Sequence, residues 1–249
     1  MSIAASPVVV GGFVVLPLLV AAGFVFAIAL ADHNLGELPA TRRCHVLVAG
    51  VAVLAWLLIT LLVAAAGIFR RFDLVPPPFA VLPLAILALG IGIAFSPLGT
   101  RLVRGLPLWA LVGSQVFRFP LELVMHQAYV EGVMPVQMSY SGRNYDIVTG
   151  ITAGLLAWWL ARGHRSRSLV MAWNVLGVAM LVNIVTIAIV STPIFRWFGH
   201  DRLNTFVAEP PYVWLPAILV TAALLGHLLV WRKLAAGAWS VGGQRASSR

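Results

Sequence analysis

A single cysteine, Cys44, excludes an intrachain disulfide and any multi-cysteine metal site. Carboxylates are also scarce: eight Asp and Glu stand against seventeen Lys and Arg, for a formal net charge of +9. That excess does not make a nucleic-acid surface, because the cations are scattered through short segments with no helix or groove to gather them. Lysine occurs once, as Lys233, and the remaining basic residues are all arginine, a bias that points to a GC-rich bacterial genome. A phosphate-cradling glycine-rich loop, HExxH, GxSxG and a dinucleotide fingerprint are all missing. No internal repeat is apparent, which leaves an inverted-repeat transporter without support.

What the chain has is apolar sequence. It is 61% hydrophobic and 10% charged, with a mean hydropathy of +0.96, far from the balance of a soluble domain. Windows of about 19 residues pick out seven spans, near 7–31, 44–69, 77–95, 106–130, 146–161, 169–191 and 211–232, the third and fifth of them short. No Lys or Arg precedes Arg42, and the first apolar run is longer than a signal-peptide core, so it is read as a retained membrane helix.

With the N-terminus outside, Arg42, Arg43, Arg101, Arg104, Arg162, Arg165, Arg167, Arg232, Lys233, Arg245 and Arg249 fall on the cytoplasmic side. Arg70, Arg71, Arg143, Arg196 and Arg202 fall outside, an asymmetry of 11 to 5 that predicts N-out, C-in. The expected architecture is all-α: a polytopic transmembrane bundle of about seven helices over 1–234, in the bacterial inner membrane, followed by a disordered cytoplasmic tail over 235–249. The lipid bilayer is the partner this composition requires.

Only one carboxylate, Glu122, lies within an apolar span; the other seven sit in loops or at span ends. At about 100° per residue, Gln115, Arg118, Glu122, His126 and Tyr129 share one stripe roughly 80° wide. Charge near the bilayer centre is costly, so such groups face a bundle interior or a wet cavity and find partners. Arg118 and Glu122, four residues apart, are expected to pair. His126, about 12 Å beyond Arg118 along the axis, is expected to titrate beside Glu122 in a site that opens outward. Pro120 in the same helix is expected to kink it.

Polar groups on neighbouring segments complete the candidate set. Arg143, Asn144 and Asp146 belong to the loop 131–145 and the start of the next span, one of two outer loops that could form a lid. Asn174, Asn183 and Thr186 lie in the sixth span, where Asn and Thr most often serve as hydrogen-bond glue between helices. Gly11, Gly12, Gly90 and Gly92 are read as sites of close helix packing.

The site is read as binding a small polar or anionic ligand, or as relaying protons. Two alternatives stay open. A membrane enzyme or redox protein could use a metal at Glu122 and His126, or a haem between His45 and His227, although no cofactor or metal is favoured. A structural subunit could instead bury the stripe against a partner helix.

The segments RFPLELVMHQAYVEG, GRNYDIVTG and AWNVLGVAMLVNIVTIAIVSTP resemble a group of uncharacterised bacterial multi-spanning membrane proteins. The resemblance covers roughly residues 107–232 and consists of an R-x-P-x-E helix, a G-R-N loop and a W-N…N-x-x-T helix. It implies a membrane fold and carries no established activity.

Overall fold

A computed structural model describes residues 5–237. Regular structure among the described residues is helical throughout. The expected disordered tail, with Arg245 and Arg249, lies beyond Gly237 and so outside the described residues.

Helix α1 (Pro7–Asn34) starts where Ser6 Oγ accepts from Val9 N at 3.3 Å and Pro7 presets the first helical φ. Helix α2 (Pro39–Ala65) likewise begins on a proline. Then follow α3 (Val81–Phe95), the short α4 (Pro97–Gly105), α5 (Leu108–Gly113), α6 (Arg118–Val130), α7 (Ile147–Ala161), α8 (Arg167–Val190) and α9 (Thr221–Ala235). A 3₁₀ turn, Ser114–Phe117, joins α5 to α6, and a π-helical turn, Leu215–Val220, leads into α9.

Six helical stretches are long and apolar enough to cross a membrane: Pro7–Asn34, Pro39–Ala65, Pro78–Phe95, Leu108–Val130, Arg167–Val190 and Leu215–Ala235. The expected fifth span is the exception. Helix α7 has 15 residues, about 22 Å of rise against a hydrocarbon core of about 30 Å. It is packed against α5, the 3₁₀ turn and α6. Around the bundle, large apolar side chains such as Phe26, Leu47, Leu62, Leu84 and Leu155 point outward; a surface like this needs an apolar surrounding.

Polar contacts gather at two opposite ends. At one, Ser6 N and Oγ donate to Glu131 at 2.8 and 2.6 Å, and Arg70 pairs with Glu209 at 2.5 Å. At the other, Asn34 Nδ2 donates to Gly105 O at 2.9 Å, and Arg101 reaches Asp32 and Glu37 at 3.3 and 3.2 Å. Lys233 Nζ there donates to Val103 O and Leu106 O at 2.7 and 2.6 Å, meeting carbonyls that the end of α4 leaves without helical partners.

Two of the four glycines read as packing sites serve that purpose. A Cβ on Gly12 would collide with Val124 of α6, and one on Gly90 with Leu224 of α9, whereas Gly11 and Gly92 face open space. The first contact sets α1 on α6 and the second sets α3 on α9, the two approaches that leave a polar centre between the helices.

The Ser6–Glu131 clasp predicts a pH dependence. Hydrogen bonds from Ser6 and then Gln127 hold the Glu131 carboxyl below its ordinary value. Stabilisation from a depressed carboxylate is fully present above the unfolded-state pKa and fades as pH falls through the folded one. Acidification is therefore expected to speed amide exchange in the first turn of α1, and Ser6→Ala, which removes the hydroxyl bond and keeps the backbone one, should weaken that dependence. Equal pH dependence in the variant would mean that another group controls the fraying.

Candidate functional site

The polar centre begins at the 3₁₀ turn. With three residues per turn, Gln115 lies directly over Arg118, and the Arg118 N–H turns back to the Gln115 carbonyl. Both side chains are buried, as is Glu122 one turn further. The expected stripe is thus continuous over its first three members and drifts off at its last two. The tight turn also absorbs Pro120, the third residue of α6, which falls where a missing N–H costs least.

Arg118 pairs with Asp146, not with Glu122. Its Nε donates to Asp146 Oδ2 at 2.6 Å and its Nη2 stands 2.6 Å from Oδ1 as an ion-pair contact. Asp146 occupies the N-cap position of α7 yet makes no capping bond; its carboxylate is turned inward. The backbone makes that reach possible, because Gly150 packs directly on the main chain of Arg118 and Phe119, where any Cβ would collide.

Asn144 connects this pair to Glu122. Its Nδ2 donates to Glu122 Oε1 at 2.7 Å and to Met138 O at 3.0 Å, while its Oδ1 accepts from Asp146 N at 3.1 Å. The loop between α6 and α7 therefore folds into the bundle as a plug and brings Asn144 to Glu122 and Asp146 to Arg118. Glu122 Oε2 is buried and has no hydrogen-bond partner.

On the other side of Arg118, Nη1 lies 2.7 Å from His227 Nε2. A guanidinium only donates, so Nε2 accepts, the proton sits on Nδ1, and the imidazole is neutral. Nδ1 faces Asn174 Oδ1 at 2.9 Å, and Asn174 Nδ2 donates to the His227 carbonyl at 3.3 Å. The expected seventh span, 211–232, puts His227 near its end. Helix α9 continues to Ala235, so His227 is an interior residue, and an ionisable side chain inside the apolar run LLGHLLV was the signal that could have found it.

The remaining expected site residues divide. Gln115 is buried with neither amide atom bonded and packs beside Gly226 of α9. His126 is half-buried, bonds Ser141 Oγ at 3.1 Å and stacks on Tyr140 at a centroid distance of 4.4 Å, so the loop takes it away from Glu122. Tyr129 lies beside it at 5.9 Å. Arg143 is exposed, its guanidinium 5.3 Å from the Phe198 ring, and its carbonyl accepts from Asn183 Nδ2 at 2.8 Å. Asn183 thus holds the loop to α8, and Thr186, one turn on, lines the cavity next to Glu122.

That cavity, about 270 Å³, is enclosed by α3, α6, α8, the π turn and the start of α9. Arg118, Glu122 and Asp146 form its polar end and the rest of the wall is almost wholly apolar. Met138, from the loop between α6 and α7, and Asn204 and Val207, from the segment between α8 and the π turn, roof it, and all three are buried. Leu87 on α3 and Val182 on α8 stand at its lip, 48% and 59% exposed against 1% for Glu122. The opening is therefore sideways between two helices, where the sequence suggested the outer surface.

A larger cavity of about 650 Å³ lies between α1, α2, α3 and α9. Its walls are apolar apart from Thr221 and, at one end, His45 and Arg101, both engaged by Asp32. His45 and His227 thus have separate partners and do not form an axial pair. Among the described residues, no group of three His, Cys, Asp or Glu side chains is placed to hold a metal ion.

The model of a family described as Domain of unknown function (DUF8737) matches residues 75–235. The match takes in α3 through α9, hence every residue of the polar centre, and leaves α1 and α2 outside. No curated protein and no solved structure matches the chain.

Proposed function

The chain belongs to the DUF8737 family of unknown function, and from that premise we propose a multi-pass protein of the bacterial inner membrane, N-out and C-in, whose polar centre binds a proton or a hydrogen-bonding ligand at Glu122. The observation that carries this reading is the free Glu122 Oε2, buried at the polar end of a cavity. Buried acceptors are ordinarily bonded, and one left open beside a cavity marks a place for a donor. The relaying group is then Glu122, with Arg118, Asp146, Asn144 and His227 as the frame that fixes its position. A small anion fits less well, because the cation that would hold it is already taken by Asp146.

A hydrophobic carbodiimide tests the reading, since it adds to a protonated carboxyl in an apolar site. The expected result is an N-acylurea on Glu122 in membranes and none on Glu122→Gln, read by peptide mass. Absence of modification at Glu122 in folded protein would contradict it.

Orientation is tested separately. The basic asymmetry of 11 to 5 supports N-out. In a Cys44→Ala background, a cysteine replacing Asp201 is expected to react with an impermeant maleimide added to intact cells. One replacing His164 should react only after permeabilisation. The reverse pattern would overturn the topology.

A further inference from the structure

We propose that the cavity beside Glu122 takes a lipophilic cation directly from the bilayer, entering between Leu87 and Val182 and replacing the proton on the Glu122 carboxyl. This deepens, and rests on, the reading of Glu122 as the proton-binding group.

A count of charge comes first. Arg118 and Asp146 cancel at 2.6 Å, and His227 is neutral because its Nε2 must accept from Arg118. At the polar end of the cavity Glu122 is left without a counter-charge. Among the described residues the surrounding elements supply none: α3 contains no ionisable residue, α8 has none after Arg167, and α1 has none before Asp32, while Arg232 and Lys233 of α9 donate to the Ala94 and Val103 carbonyls and Arg143 lies over the Phe198 ring. His126, one turn further along α6, is engaged by Ser141 and Tyr140. An unpaired carboxylate out of water neutralises itself, so the empty site holds a proton and a bound cation takes its place.

The alternatives fit the same count poorly. An anion would have to displace Asp146 from Arg118 and would then lie beside a second carboxyl. A neutral donor would bond Oε2 but supply no charge.

The walls select the rest of the ligand. Phe79 and Phe117 offer aromatic rings, and Met125 and Met138 offer polarisable sulfur, surfaces that favour a cation with an apolar body. The sideways lip, with Leu87 and Val182 exposed, gives access to a molecule already dissolved in lipid. The exchange balances without a redox partner: Glu122–COOH and the cation become a carboxylate–cation pair, and one proton leaves to water.

The test uses tetraphenylphosphonium with the full chain in detergent. Binding is expected to be saturable and to release one proton per cation, reported by an indicator dye in weak buffer. It should tighten by about tenfold per pH unit over the range in which Glu122 is protonated. Glu122→Gln, in which the new amide oxygen still accepts from Asn144, should weaken binding more than tenfold while the unfolding midpoint stays near that of the parent. Leu87→Trp, at the exposed lip, should weaken binding without preventing carbodiimide modification of Glu122. In the parent protein, bound cation should protect Glu122 from the carbodiimide. The proposal is overturned if binding is not saturable, ignores pH or is the same in Glu122→Gln, or if neutral tetraphenylsilane competes equally. If the carbodiimide modifies Glu122 and the phosphonium neither binds nor protects, the cation proposal falls while the proton-binding reading stands. If Glu122 is never modified, both fall.

Discussion

Asp146→Ala is expected to destabilise the fold by about 3 to 5 kcal/mol, the range for leaving one member of a buried ion pair without its partner. Arg118 is 1% exposed, and the carboxylate that neutralises it comes from the end of a loop 28 residues away. Without it, the guanidinium keeps a neutral imidazole on one side and has no counter-charge in contact. Asp146→Asn should cost nearly as much, since it preserves shape and loses charge. The double variant Arg118→Met, Asp146→Leu should recover most of the loss, because an apolar pair of similar volume avoids the desolvation of two charges. Unfolding in mixed micelles would measure all three. A small effect for Asp146→Ala would mean that Glu122 can take over as the partner of Arg118, as the sequence spacing had implied.

The second large effect is expected at Gly150. Any side chain there would collide with the backbone of Arg118 and Phe119, and a main-chain obstacle cannot move aside as a flexible side chain can. Overpacking typically costs about 1 to 3 kcal/mol, and Gly150→Val should lie at or beyond the top of that range. It should also pull Asp146 away from Arg118, because both depend on the seating of the first turn of α7. The control is one turn along the same helix. A Cβ at Gly154 would make only an ordinary contact, 3.6 Å from a Val116 methyl, so Gly154→Ala should be near neutral or slightly stabilising. Equal behaviour of the two variants in an unfolding assay would show that α7 does not pack on α6 as described.

Several of these features were readable from sequence because they follow from local periodicity. Hydropathy located the helices, and the Gln115, Arg118, Glu122 face is buried together as the angular count required. The partners of that face were less accessible. Spacing of i, i+4 pointed Arg118 to Glu122, but the partner is Asp146, brought in by a loop that folds back through Asn144. Loop conformation depends on tertiary contacts that no helical repeat encodes. His126 was misplaced for a related reason: Ser141 and Tyr140 of the same loop capture it. The fifth expected span was placed correctly as a segment, yet the 15 residues of α7 do not reach spanning length; hydropathy averages over a window and does not mark that the helix starts only after Asp146.

The π turn at Leu215–Val220 has no sequence signal that we recognise. Its position is informative all the same. Ala217 and Ile218 line the larger cavity, while Leu215, Pro216, Leu219 and Val220 line the one beside Glu122. Trp56 Nε1 and Thr221 Oγ1 both donate to the Ala217 carbonyl, at 2.9 Å each, which satisfies a group that the irregular turn makes available. A single irregular turn thus forms a wall of both cavities.

The most direct measurement is the protonation of Glu122 in the membrane at neutral pH, by infrared spectroscopy on the parent protein and on Glu122→Gln. The expected result is a protonated-carboxyl stretch in the parent that is absent from the variant and fades as pH is raised. A parent spectrum without that band, or one that the substitution leaves unchanged, would show that Glu122 is ionised and already paired, and would contradict its role as the proton-binding group.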